Sequence, residues 1–208
     1  MIVIIDYGAG NLRSVVNAVT HLGYDVKLTN MPQDVLSADT VILPGVGAGG
    51  DTMDSLNRLD LAEAIRRTIE DDKPFLGVCI GLQVLMTYTE EGGRHECLNA
   101  IPGRVQKLPD GLKVPHMGWN QVKQLKKHPV FDGIPDQSNY YFVHSYHAVP
   151  EDKAVIAGET DYGVTFCSVI ARGNLVATQF HPEKSGSMGL KFYDNFLKNA
   201  TKKGYPVK

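Results

Sequence analysis

Apolar positions in the first half of the chain follow two alternating patterns. Ile2–Ile5 is a continuous apolar run, as expected of a strand buried on both faces. Leu12, Val15, Val16 and Val19 then recur at helical spacing, and Gly23 is placed to end that helix as its C′ residue. Val26–Leu28 and Val41–Leu43 read as further strands; Leu59, Ala62, Ile65 and Ile69 mark a helix, and Phe75–Val78 is a strand again. This alternation predicts a parallel sheet covered on both faces. The middle of the chain changes character. Segments around Arg104–Lys107, Tyr140–Tyr146, Ala154–Gly158, Val164–Ile170 and Leu175–Phe180 are strand-like with turn residues between them, and Arg172-Gly173-Asn174 reads as a hairpin turn. A last helix carries Leu190, Tyr193, Leu197 and Ala200 on one face. The predicted fold is therefore α/β, a mostly parallel central sheet flanked by helices with an antiparallel extension. Neither a linker nor a repeat divides the 208 residues, so residues 1–208 are expected to form a single domain.

Gly77-Val78-Cys79-Ile80-Gly81 carries the first chemical signal. It follows a strand, opens the helix-compatible run Leu82–Met86, and matches the nucleophile-elbow pattern G-x-S-x-G with cysteine in place of serine. Glycines two residues to either side permit a tight strand-to-helix turn that presents the sulfur at a helix N-terminus, where N–H groups favour a thiolate. A small buried core cysteine is the competing reading. A second motif decides between them: Gln179-Phe180-His181-Pro182-Glu183-Lys184-Ser185. A thiolate that transfers acyl groups needs an imidazole to move protons and a carboxylate to orient that imidazole. Pro182 disfavours the helical region for His181, and an extended chain would set His181 and Glu183 on one side. Cys79, His181 and Glu183 are the expected triad.

Pro44–Gly50 is a second glycine-rich loop after a strand. Gly45, Gly47 and Gly50 satisfy the dinucleotide fingerprint G-x-G-x-x-G, but Pro44 stands at its entry and the loop follows a third strand. An ordinary turn is another reading. The stronger one is an oxyanion strand around Val46 and Gly47, with the N–H of Ile80 as second donor. Gln83 lies one helical turn past Cys79 and can face the same pocket. His144-x-x-His147 and His95-Glu96-Cys97 lack zinc spacing, and no metal or cofactor is expected. Cys97 and Cys167, without elbows, read as structural.

Charge excludes other classes. The 21 basic and 23 acidic residues nearly cancel without a basic stripe, which argues against nucleic acid; Lys126-Lys127 and Lys202-Lys203 read as solvated. Met1–Ile5 is too short for a signal peptide or membrane span, and three unpaired cysteines suit a reducing cytoplasm.

The two catalytic motifs resemble those of the class I, triad-type glutamine amidotransferases, whose fold is flavodoxin-like. Ile5–Leu12, Leu43–Gly47, Val114–Asn120 and Tyr141–Tyr146 extend the likeness over about residues 2–200, and are similar to the glutaminase subunits of imidazole glycerol phosphate synthases. The resemblance implies glutamine hydrolysis to glutamate and ammonia, with Gln83, Glu91, His144, Ser145 and Tyr146 around the glutamine. It also implies a separate (βα)8-barrel cyclase subunit, contacted in a heterodimer through Asn11, Trp119, Asn120, Tyr141 and Lys184. By itself, Glu90-Glu91 reads as an acidic helix end, and Trp119 as a core aromatic. Where the family commonly carries an aromatic near position 49, this chain has glycine.

Overall fold

The computed structural model describes residues 1–8 and 10–201; Lys202 and Lys203 lie outside them. Strand β1 (Ile2–Ile5) is buried along its whole length. Its alternate side chains serve two cores: Val3 and Ile5 on one face of the sheet, Ile2 and Ile4 on the other. The same division holds for β3 (Thr40–Leu43) and β4 (Phe75–Val78), which explains why these strands read as unbroken apolar runs. Helices α1 (Leu12–His21) and α6 (Gly186–Thr201) cover one face; α2 (Pro32–Ser37), α3 (Gly49–Arg58) and α4 (Leu61–Glu70) cover the other. Gly23, at φ 87°, provides the left-handed residue that follows α1.

The remaining elements are β2 (Val26–Thr29), α5 (Ile80–Gln83), β5 (Tyr88–Thr89), β6 (His95–Glu96), β7 (Gly103–Lys107), β8 (His116–Gln124), β9 (Ser138–His144), β10 (Tyr146–Pro150), β11 (Ile156–Asp161), β12 (Thr165–Arg172) and β13 (Leu175–Thr178). Among the described residues the large sheet has nine strands in the order β2-β1-β3-β4-β13-β12-β11-β8-β9. The β2 to β13 half is parallel, and the rest is antiparallel, so the predicted extension is as wide as a second half-sheet. A smaller sheet, β10-β7-β5-β6, joins the α2–α4 side through Val105 and Ala148.

Several expectations need correction. The helix marked from Leu59 begins at Leu61, because α3 ends at Arg58 and Leu59 caps it. Neither α2 nor α3 is legible in the apolar pattern: α3 opens on the glycine pair Gly49-Gly50, which reads as loop. Strand β8 is also unforeseen, since its outward face carries exposed Met117 and Trp119. Tyr140–Tyr146 breaks at Ser145 into two strands that belong to different sheets. Lys126 is no solvated end. Its Nζ donates to the carbonyls of Ala154 at 2.7 Å and Ala171 at 3.3 Å. No described helix is long and apolar enough to cross a membrane.

Candidate active site

Strands β4 and β13 end side by side. Their parallel register pairs Gly77 with Ala177 and Val78 with Thr178, and the Cys79 N–H donates to the Thr178 carbonyl at 2.7 Å. Sheet pairing thus carries the two motifs, in which Cys79 and Gln179 stand 100 residues apart, to one carboxyl edge. Cys79 takes φ 55° and ψ −104°, a strained conformation of the kind found at functional turns. The motif's glycines are sterically required. A Cβ at Gly77 would lie 2.7 Å from the Gly81 carbonyl oxygen, and one at Gly81 would overlap the Leu43 carbonyl oxygen. Gly81→Ala should therefore cost about 1–3 kcal/mol of stability. Urea unfolding measures this, and an unchanged midpoint would show that the elbow can relax.

The helix after Cys79 is one turn long. It ends at Gln83 and gives way to tight turns, with Leu85 N–H on the Leu82 carbonyl at 3.2 Å and Met86 N–H on the Gln83 carbonyl at 3.1 Å. The run Leu82–Met86 is apolar because it is buried, not because it is helical. So short a helix brings little macrodipole to the sulfur, and the charge partner is His181 instead.

His181 itself is extended (φ −99°, ψ 98°), but Pro182–Lys184 form a 3-10 turn in place of the expected extended stretch. Proline suits the first position of such a turn, which brings Glu183 back onto the imidazole. His181 Nδ1 and Glu183 Oε1 are 2.8 Å apart with both side chains 1% exposed. Burial opposes charge on this ring. The charge and hydrogen bonding of Cys79, followed by those of Glu183, outweigh it and push His181 up to about 10. The other ring nitrogen, Nε2, is buried, and with Nδ1 held by Glu183 it is the one left to interact with Cys79.

Glu183 is held by residues the motif does not contain. Asn11 Nδ2 donates to Oε1 at 2.9 Å and Tyr193 Oη to Oε2 at 3.4 Å. Gln179, from the same motif, directs Nε2 at the Cys79 sulfur at 3.7 Å and accepts from Gln83 Nε2 at 3.1 Å. The resemblance placed Asn11 only at a partner face; here its side chain bonds the buried carboxylate. The signal for this is its left-handed backbone (φ 71°) at the start of α1, which is invisible to periodicity.

A cavity of about 320 Å³ opens beside Cys79. Val46, Gly47, Ile80, Gln83, Glu91, His144, Ser145 and Tyr146 line it, together with Pro115 and Val143, which sequence reasoning missed. Gly47 sits at φ 107°, a backbone that only glycine adopts without strain, and Gly45 packs where a Cβ would overlap the Tyr7 hydroxyl and Ile80 Cγ2. Ile80 opens a helix, so its N–H has no carbonyl one turn earlier to bond. Glu91 is not at a helix end: it lies in the turn that follows β5. Its Oε2 accepts from the Gly49 N–H at 3.0 Å, tying the cavity wall to the first residue of α3. A Cβ at Gly49 would lie 3.0 Å from Thr89 Cγ2, which accounts for glycine there.

Residues 3–200 match the family model of class-I glutamine amidotransferases. The chain belongs to that family. It is 56% identical over 200 residues to the imidazole glycerol phosphate synthase subunit HisH of Dehalococcoides mccartyi (strain CBDB1), spanning 96% of this chain and 98% of that one. Identity to the protein of the same name from Syntrophotalea carbinolica is 51% over 203 residues, spanning 94% and 98%. At these identities the chain belongs among the HisH-type glutamine amidotransferases. The fold is similar to that of PurLQS from Thermotoga maritima, with a TM-score of 0.76 at 18% identity over 95% of this chain and 97% of the other.

In this amidotransferase three of the residues expected at a partner face, Trp119, Tyr141 and Lys184, lie together. Trp119 and Tyr141 are cross-strand partners whose rings meet edge-on at 6.2 Å, and Lys184 Nζ lies 5.9 Å from the Tyr141 ring centre. Trp119 is 59% exposed, which corrects its reading as core. The Tyr141 carbonyl accepts the His181 N–H at 2.9 Å, so this surface is continuous with the triad backbone. Cys97 and Cys167 are buried, and burial pushes their thiols up to about 11 and about 12.

Proposed function

We propose that this chain is the glutaminase subunit of an imidazole glycerol phosphate synthase, forming a heterodimer with a separate (βα)8-barrel cyclase in the cytoplasm and serving histidine biosynthesis. The observation that carries the reading is the convergence of Cys79, His181 and Glu183 beside the cavity lined by Gln83, Glu91 and the 144–146 segment. The sulfur of Cys79 attacks the side-chain amide carbon of glutamine, and the carbonyl electron pair moves to oxygen. N–H groups of the Val46-Gly47 loop and of Ile80 receive that oxyanion; each such donor is worth roughly 10²–10³ in rate. His181 Nε2 gives its proton to the leaving nitrogen, so that ammonia departs and a γ-glutamyl thioester remains. His181 then takes a proton from water, hydroxide adds to the thioester, and glutamate leaves as the sulfur regains its electron pair. Glu183 orients the ring throughout. Ammonia passes to the cyclase, which combines it with a phosphoribulosyl-formimino aminoimidazole ribonucleotide to form imidazole glycerol phosphate and an aminoimidazole carboxamide ribotide.

Trp119 and Tyr141, expected at the partner face, pair across β8 and β9, and the Tyr141 carbonyl holds the His181 N–H, which supports control by the partner. Gly47 lets the Val46–Gly47 peptide rotate at small steric cost, exchanging an inward carbonyl for an inward N–H. Glutaminase rates of the isolated chain, the complex, and the complex with cyclase ligand test this. Turnover should rise by orders of magnitude across the three states. Equal rates would favour a free-standing hydrolase of γ-glutamyl compounds.

A further inference from the structure

Behind the cavity runs a chain of hydrogen bonds that the reaction as written does not use. His144 Nδ1 lies 2.8 Å from the Tyr146 carbonyl oxygen. A carbonyl only accepts, so the proton is on Nδ1 and Nε2 of the neutral ring is an acceptor. His116 Nδ1 lies 3.0 Å from that Nε2 and must be its donor. His116 Nε2 is then an acceptor in turn, and Asn120 Nδ2 reaches it at 3.3 Å. The Asn120 amide is oriented independently: Nδ2 donates to the Asp161 carbonyl at 2.8 Å and Oδ1 accepts from the Gln121 N–H at 2.7 Å. Burial favours the neutral rings this polarity needs, pushing His116 down to about 4 and His144 to about 3. The His116 ring is also clamped, stacked at 4.0 Å on Tyr162 and 5.0 Å on Phe142.

The chain continues into the site. The Tyr146 carbonyl accepts from Gln83 Nε2 at 2.8 Å, Gln83 Nε2 also donates to Gln179 Oε1, and Gln179 Nε2 points at the Cys79 sulfur. Each link has one workable polarity. A half-buried asparagine on the strand of exposed Met117 and Trp119 is thereby joined to the nucleophile.

We propose that Asn120 and His116 are positioning residues for glutamine hydrolysis, holding the Tyr146 carbonyl and, through Gln83 and Gln179, the Cys79 sulfur. The proposal rests on the glutaminase reading, but its geometry can be tested without it. In the full-length chain labelled with 15N in its histidine rings, long-range 1H–15N correlation at pH 7.5 should show His116 and His144 both neutral and protonated on Nδ1. In His116→Phe, which keeps the aromatic stack but removes the donor, the His144 ring signals should shift. At saturating partner, its kcat/KM for glutamine should fall about tenfold or more, because a buried acceptor loses its partner. Asn120→Ala should act in the same direction more weakly, and it serves if His116→Phe fails to fold. A proton on Nε2 of either ring, or a charged ring, overturns the relay. So does wild-type kcat/KM in both folded variants, or in Asn120→Ala if it alone folds. If the wild-type complex does not hydrolyse glutamine, the functional reading fails while the ring protonation still judges the hydrogen-bond chain.

Discussion

A glutamine-mimicking diazo-ketone should label Cys79 and neither of the other cysteines, and Cys79→Ser should abolish glutamine hydrolysis. All three cysteines are buried, so burial does not discriminate among them. Their surroundings do. Cys79 lines the cavity and sits beside the charged His181 ring, whereas desolvation keeps Cys97 and Cys167 as thiols at neutral pH. Loss of the nucleophile from a triad costs roughly 10⁶ in kcat. The serine variant keeps the size and turn of the elbow, so its unfolding midpoint and partner affinity should match wild type. Peptide mass spectrometry after labelling reads the result directly. Principal modification at Cys97 or Cys167 would remove the triad assignment.

The second large effect is expected at His181. His181→Ala should lower turnover by about 10⁴, since it removes both the acid and the base of the cycle. Glu183→Gln should be milder, about 10². Placed with its oxygen at the Oε1 position, the glutamine amide still accepts from His181 and Asn11, and its nitrogen can donate to Tyr193. What it loses is the negative charge that supports the imidazolium. Asn11→Ala, which removes one neutral donor from Glu183, should cost only a few-fold. Steady-state rates at saturating glutamine and partner rank the three. Wild-type turnover in Glu183→Gln would make Glu183 a structural carboxylate.

The candidate nucleophile, its candidate base and the glycine-rich 44–50 loop stood out in the sequence because each is a local device. Glycines two residues to either side of a cysteine permit a tight turn, and a proline after a histidine restricts that histidine's backbone, wherever the chain goes. The parallel strands were legible for a related reason: burial on both faces leaves apolar runs, as in β1, β4 and residues 41–43 of β3. The resemblance to known amidotransferases supplied the candidates for glutamine contact, Gln83, Glu91 and residues 144–146, and all of them line the cavity.

Tertiary structure decided what depends on groups far apart in sequence. Asn11 and Glu183, 172 residues apart, meet because β1 and β13 belong to one parallel sheet and α1 packs against the 182–184 turn. No periodicity in either segment encodes that contact. Trp119 looks like core in sequence and stands exposed in the fold, because β8 turns His116 and Val122 inward and leaves its other face uncovered. Val84–Met86 is as apolar as a helix core but is buried as turns. Hydrophobicity reports that a residue is covered; only the fold determines what covers it. Gln179 is the clearest case, a polar side chain in a strand-end motif whose role appears once pairing sets it against the Cys79 sulfur.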